Sequence, residues 1–99
     1  MNVLWVFAHP EPRSLSGALR DEGARALTEA GHAVRMSDLY AMGWKATVDV
    51  DDFGHHEPDE RLRVSGQSKC AHQEGVLRDD IRAEQDKLDW ADAVVVQFP

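Results

Sequence analysis

Asn2-Val3-Leu4-Trp5-Val6-Phe7-Ala8 opens the chain, and a polar loop separates it from Ser16 to Ala30, where Ala18, Leu19, Ala26, Leu27 and Ala30 recur at helical spacing. An almost continuous apolar run of strand length belongs to a parallel strand covered by helices on both faces. In the helical stretch Arg20, Asp21, Arg25 and Glu29 occupy the other faces, as an amphipathic helix requires. Gly31 supplies the left-handed stop. Ala33 to Ser37 then reads as a second strand in which Val34 and Met36 alternate with polar neighbours. Strand, helix and strand in this order form one βαβ unit, and such crossovers are right-handed in nearly all cases.

Further along, periodicity fails between Asp38 and Arg78, where Gly43, Gly54, Pro58 and Gly66 punctuate a stretch rich in acids. An irregular segment of that length is usually functional or disordered. Its acids, from Asp49 to Glu60, read as a solvated loop face. Helical spacing returns from Asp80 to Trp90 through Ile81, Gln85 and Leu88, with Asp79 or Asp80 placed to cap the first turn. Ala93 to Phe98 follows as a third, very apolar strand. Trp5, Trp44 and Trp90 read as packing residues, with Trp44 also suited to a subunit contact.

The bulk properties narrow the function classes. A hydrophobic fraction of 42% beside 29% charged residues is that of an ordinary globular domain, and 99 residues allow one modest core. No apolar run approaches the roughly 18 residues of a membrane span. The start of the chain lacks the basic region and cleavage site of a secretory signal, so a cytoplasmic location is expected. Cys70 is the sole cysteine, which rules out an intrachain disulfide. A net charge of −7 argues against nucleic acid as a partner. A bound phosphate must then be held mainly by backbone amides and hydroxyls.

The chemistry concentrates in Ala8-His9-Pro10-Glu11-Pro12-Arg13-Ser14-Leu15-Ser16-Gly17, between the first strand and the first helix. In a doubly wound sheet, ligands bind outside the carboxyl ends of the strands. The first amides of the helix lack intrahelical partners and, with the helix dipole, form an anion site. Ser14 and Ser16 add hydroxyls and Arg13 a positive charge. One serine serving only as an N-cap would account for the same pattern. His9 either approaches a ligand there or bonds a neighbouring backbone carbonyl. Neither a Walker pattern nor Gly-x-Gly-x-x-Gly is present. His55, His56, Cys70 and His72 carry zinc-binding groups but match no compact finger spacing, so no metal site is assigned.

Three ordered blocks carry a resemblance. Ala8-His9-Pro10 with Ser14-x-Ser16 and Ala18-Leu19, then Ser37-Asp38-Leu39-Tyr40-Ala41-Met42, then Glu84 to Leu88 through Trp90-Ala91-Asp92 to Gln97-Phe98-Pro99, together resemble the N-terminal half of the flavodoxin-like NAD(P)H:quinone oxidoreductases. The resemblance implies an α/β flavodoxin-like three-layer sandwich whose parallel strands take the order 2-1-3, with residues 1–99 forming the N-terminal part of a single domain. It implies a flavin, FAD in larger members and FMN in some smaller ones, with its phosphates over the loop His9 to Ser16. His9, Leu15 and Ser16 match positions that touch FAD in the family, and Ser14 lies beside them. Leu15 and Ser16 stand where some relatives have Phe-Asn. Arg63 falls near a glutamine that contacts flavin in some members, and Pro99 heads an aromatic-rich segment that lies along the isoalloxazine ring. The tyrosine and histidine that assist hydride transfer in the family lie C-terminal to Pro99, so no catalytic residue is assigned. The implied reaction passes hydride from NAD(P)H to flavin and then reduces a quinone, in a cytoplasmic enzyme that is a homodimer at full length. The alternative is a non-catalytic remnant or ancillary partner that keeps the framework.

Overall fold

The computed structural model describes all residues from Met1 to Pro99. In chain order the elements are β1 (Asn2–Phe7), α1 (Leu15–Glu29), β2 (Ala33–Asp38), a 3-10 turn (Val50–Asp52), α2 (Val64–Glu74), α3 (Asp79–Trp90) and β3 (Ala93–Gln97). They form two compact units, one of residues 1–44 with 86–99 and the other of residues 45–85. No helix is long and apolar enough to cross a membrane.

In the first unit the sheet order is β2-β1-β3, with both pairings parallel, as the flavodoxin-like resemblance implied. The register sets Val3 beside Val34 and Ala93, and Phe7 beside Asp38 and Gln97. Because side chains alternate along a strand, Val3, Trp5 and Phe7 share one face with Met36, Asp38, Val95 and Gln97. That face meets α1. Arg20 lies 4.4 Å over the Phe7 ring, and a Cβ at Gly23 would run into the Trp5 indole. The opposite face, bearing Leu4, Arg35 and Ser37, meets the C-terminal half of α3. There the Arg35 guanidinium stands 4.6 Å from the Trp90 ring centroid, and Lys87 Nζ donates to the fully buried Ser37 Oγ at 3.1 Å. Val3, Leu4 and Phe7 are the buried apolar centre of this unit. Asn2 fastens its lower end, donating through its amide to Asp92 at 2.7 Å and through its side chain to the Trp90 carbonyl at 3.1 Å.

The ends of α1 follow local chemistry. Ser14 is the N-cap, its Oγ accepting the Gly17 amide at 3.0 Å. At the other end Gly31 has φ +93°, and the His32 amide reaches back to the Leu27 carbonyl at 3.0 Å, closing the helix with the left-handed turn that glycine permits.

The second unit corrects two readings of the irregular stretch. The 11-residue helix α2 lies within it, although Gly66, Ser65 and Ser68 are poor helix formers. Its stability comes from packing. Ala71 is buried against Phe53 and Leu77, with Leu62 and Ile81 around them. The acids are not all solvated either. Asp52 is buried, and Lys45 Nζ donates to it at 2.8 Å and to Asp49 at 2.9 Å. Asp49 and Asp52 also form a reciprocal capping box on the short turn between them. Asp79 and Asp80, expected as caps, lie inside the first turn of α3, where acids complement the helix dipole.

Two predictions follow from these contacts. Replacing Gly23 by alanine improves helix propensity by roughly 1 kcal/mol but crowds the indole beneath it, and overpacking costs about 1–3 kcal/mol. Gly23→Ala therefore lowers the melting temperature, and the loss disappears in a Trp5→Leu background. Equal losses in both backgrounds would refute the steric account.

Hydrogen bonding to Lys45 holds the Asp52 and Asp49 carboxyls below the ordinary range, and the same bonds, Asp52 first, raise the Lys45 ammonium. Carboxyls with lowered pKa stabilise the fold above their unfolded pKa and lose that contribution as pH falls through the folded value; the lysine loses its share as pH rises through its raised value. Amide-exchange protection of residues 45–85 should thus differ between the native protein and Lys45→Met by a constant amount from about pH 5 to about pH 9. The difference should shrink below about pH 4 and above about pH 10.5. A gap that widens toward acid would contradict this.

Candidate functional site

Parallel β1 and β3 end side by side, and the connection that leaves β1 leads to β2 on the edge away from β3, so the strand order reverses at β1. This reversal of strand order marks the crevice where open α/β sheets take ligands. The loop from Ala8 to Ser14 crosses its mouth. Its first link is the Ala8 amide, which donates to the Gln97 carbonyl at 3.0 Å and carries the ladder one residue past β1.

His9 is half-buried, its ring stacked near Phe7 with centroids 6.3 Å apart. Its Nδ1 accepts the Glu11 amide at 3.0 Å, so the bond it makes is to an amide and not to the carbonyl considered from sequence. An acceptor at Nδ1 leaves the proton of the neutral ring on Nε2, which becomes the available donor. The Glu11 carboxylate in turn accepts from both the amide and Nε of Arg13, each at 2.9 Å. The Arg13 side chain, and then its amide, hold the Glu11 carboxyl below the usual range. The Ser14 amide is used by the Glu11 carbonyl at 3.2 Å.

These bonds show which donors the loop still offers. Ser14 N and Gly17 N are engaged, and the Ala18 amide bonds the Ser14 carbonyl at 3.1 Å. The amides of Leu15 and Ser16 are left at the N-terminus of the 15-residue α1, together with the Ser16 hydroxyl. Gly17 is buried because a Cβ there would strike the Pro12 carbonyl oxygen, so the loop folds tightly over the first turn. Behind the loop, Arg20 donates to Asp38 at 3.0 Å, and Asp38 accepts the Ala41 amide at 3.2 Å, tying the segment after β2 to α1. The Gln97 side chain spans the crevice wall: Nε2 donates to the Ser16 carbonyl at 2.9 Å, and Oε1 accepts from the Trp5 indole at 3.1 Å.

Of the residues singled out in the sequence, His9, Ser14, Leu15 and Ser16 gather in this loop. Pro99, two residues past β3, lies at the same carboxyl end of the sheet. Arg63 belongs to the other unit, where it is exposed and its amide donates to Gln67 Oε1 at 2.8 Å ahead of α2. His55 and His56 of that unit have partners of their own: His55 with Glu57 at 2.8 Å, and His56 with the Glu60 carbonyl and Gln67. No three metal-ligating side chains come together anywhere. Sequence reading missed Glu11, Arg20 and Gln97 as parts of the loop's framework. The contacts of Arg20 and Gln97 are with residues distant in sequence, and no local pattern signals them.

A family model described as a flavodoxin-like fold matches residues 1–99. The chain belongs to the flavodoxin-like fold family. It is 48% identical over 99 residues to the ribosyldihydronicotinamide dehydrogenase-like protein traD of Penicillium crustosum, covering 100% of this chain and 37% of that protein. It is also 39% identical over 98 residues to NAD(P)H dehydrogenase (quinone) 1 of Rattus norvegicus, covering 98% of this chain and 36% of the relative. Among solved structures, the crystal structure of a Klebsiella pneumoniae protein assigned as a quinone reductase superposes with a TM-score of 0.95 at 54% identity, over 100% of this chain and 38% of the other. An NAD(P)H:quinone oxidoreductase from Methanothermobacter marburgensis gives 0.73 at 25% identity, over 100% and 44%. This flavodoxin-like chain therefore spans about two fifths of the length of the relatives it matches.

The two serines have separable roles. Ser14→Ala removes an N-cap and should cost about 1 kcal/mol of stability, whereas Ser16→Ala should change stability by less than about 0.5 kcal/mol. Denaturant titration of both variants distinguishes them, and equal losses would show that Ser16 is also a cap.

Proposed function

We propose that residues 1–99 supply the phosphate-side flavin site of an FAD-dependent NAD(P)H:quinone oxidoreductase. The observation that carries this reading is the pair of unpartnered amides, Leu15 and Ser16, beside the Ser16 hydroxyl at the N-terminus of a long helix on the strand-order switch point. The donor set suits a diphosphate. Amides and a hydroxyl neutralise an anion by oriented dipoles, and the outer guanidinium nitrogens of Arg13 add charge at the rim while its Nε holds Glu11. The similarity to quinone reductases over the whole of the chain supports the same assignment.

When bound, the flavin would supply the hydride chemistry, accepting hydride from NAD(P)H and returning two electrons to a quinone. The residues of this chain bind and orient. Leu15 and Ser16 amides and the Ser16 hydroxyl hold phosphate oxygens, Ser14 keeps the first turn of α1 closed, and His9 presents Nε2–H as a further donor. Pro99 borders the site at the end of β3, and Arg63 is assigned to the flavin on the family resemblance alone. FAD is preferred to FMN on the family resemblance. Both units belong, in this reading, to the N-terminal part of one flavodoxin-like domain, in a cytoplasmic enzyme that pairs as a homodimer at full length.

The test uses the protein at its full encoded length. It should purify yellow or take up FAD, lose its flavin absorbance on anaerobic addition of NADH or NADPH, and recover it when a quinone is added. Ser16→Ala should weaken FAD by about tenfold or more, the worth of a hydrogen bond to a charged group, with the melting temperature of the flavin-free protein unchanged. A colourless protein that takes up neither FAD nor FMN would favour the non-catalytic partner instead.

A further inference from the structure

Gln97 joins three places that are far apart in sequence. Its backbone carbonyl accepts the Ala8 amide at 3.0 Å, where the loop begins, and its Nε2 donates to the Ser16 carbonyl at 2.9 Å, in the first turn of α1 after the loop. Its Oε1 accepts from the Trp5 indole at 3.1 Å. The side-chain amide is partly buried, and both of its ends are engaged.

The bond to Ser16 acts on one peptide group. The Ser16 carbonyl and the Gly17 amide belong to the same planar unit, and Gln97 grips the carbonyl while Ser14 Oγ grips the amide at 3.0 Å. With both ends of that plane tied, the first turn of α1 cannot rotate freely. The Leu15 and Ser16 amides that precede it keep a common direction. A leucine or a lysine at position 97 would satisfy strand pairing equally well, since β3 pairs with β1 through backbone atoms. The amide side chain matches both a donor and an acceptor requirement, the indole N–H on one side and the Ser16 carbonyl on the other.

We propose that Gln97 is a positioning residue for phosphorylated flavin, fixing the first turn of α1 so that the Leu15 and Ser16 amides meet a phosphate together. The proposal rests on the flavin reading above. It differs from a purely structural role because it acts on the phosphate end of the ligand and not on the ring.

Riboflavin, which has no phosphate, separates the two. In the full-length protein, binding of FAD and of riboflavin is measured by fluorescence quenching for the native chain, Gln97→Met and Gln97→Glu, with melting temperatures alongside. Gln97→Met keeps the length of the side chain and removes both hydrogen bonds. Gln97→Glu keeps the acceptor for Trp5 but turns a carboxylate oxygen toward the Ser16 carbonyl. Both variants should bind FAD roughly tenfold more weakly, in line with the loss of one oriented contact to a charged group, while riboflavin affinity stays within about twofold. Equal weakening of both ligands, or no weakening of either, would overturn the positioning role while a native preference for FAD over riboflavin upheld the phosphate site. A native protein that binds the two flavins equally, or binds neither, would instead remove the phosphate reading itself and the proposal with it.

Discussion

Parallel pairing on both edges of Asn2–Phe7 constrains everything else in the first unit. A strand paired this way has both neighbours running in its own direction, so the chain returns to the amino end of the sheet before each new strand. Helices are the compact way to make that return, one on each face. The consequence at the other end is geometric: the N-terminus of α1 must begin where β1 stops, and β3 must stop there too. A crevice edged by unpartnered helix amides is thus a product of topology before any side chain is considered.

Side chains then decide whether that crevice is firm. Gly23 lets α1 approach the Trp5 indole, and Trp5 in turn holds Gln97, whose other end reaches the first turn of the same helix. Helix, central strand and third strand are linked in a closed circuit. Gly17 and Pro12 tighten the loop over the helix start, and Arg20 with Asp38 brings in the segment after β2. The candidate loop is short, and the amides of Ala8, Glu11, Arg13 and Ser14, His9 Nδ1 and the Glu11 carboxylate are all bonded within the protein.

Much of this was legible in the amino-acid sequence because it is encoded locally. The apolar run of β1, the helical spacing after Ser16, the stop at Gly31 and the serine cap are patterns within a few residues, and the structure has them all. The helix α2 was not legible, since its signal is spread over Phe53, Ala71 and Leu77, which come together only on folding. The buried Asp52 looked like one acid among many, and its distinction is a lysine seven positions earlier. Within the candidate loop, the residues could be chosen from pattern but not their bonds. Which serine caps the helix, and which nitrogen of His9 is occupied, depend on turns that residue identity alone leaves open. Gln97 is the extreme case, because its bond to Ser16 spans 81 positions.

The electrostatics of the loop show why such distant bonds matter. The chain carries a net charge of −7, and Glu11 sets a carboxylate beside the very arginine that would attract an anion. Long-range attraction is therefore weak, and screening at physiological salt reduces it further beyond about 8 Å. What remains is the short-range field of two amides and a hydroxyl at a helix end. A dipole field falls off faster with distance than that of a charge and depends on direction, so a small rotation of the first turn forfeits more binding than the loss of a remote cation would. Rigidity then substitutes for charge. A loop tied at Ala8, Ser14, Ser16 and Gly17 holds its free amides in one orientation before a ligand arrives, and the ordering of those groups need not be supplied at the moment of binding.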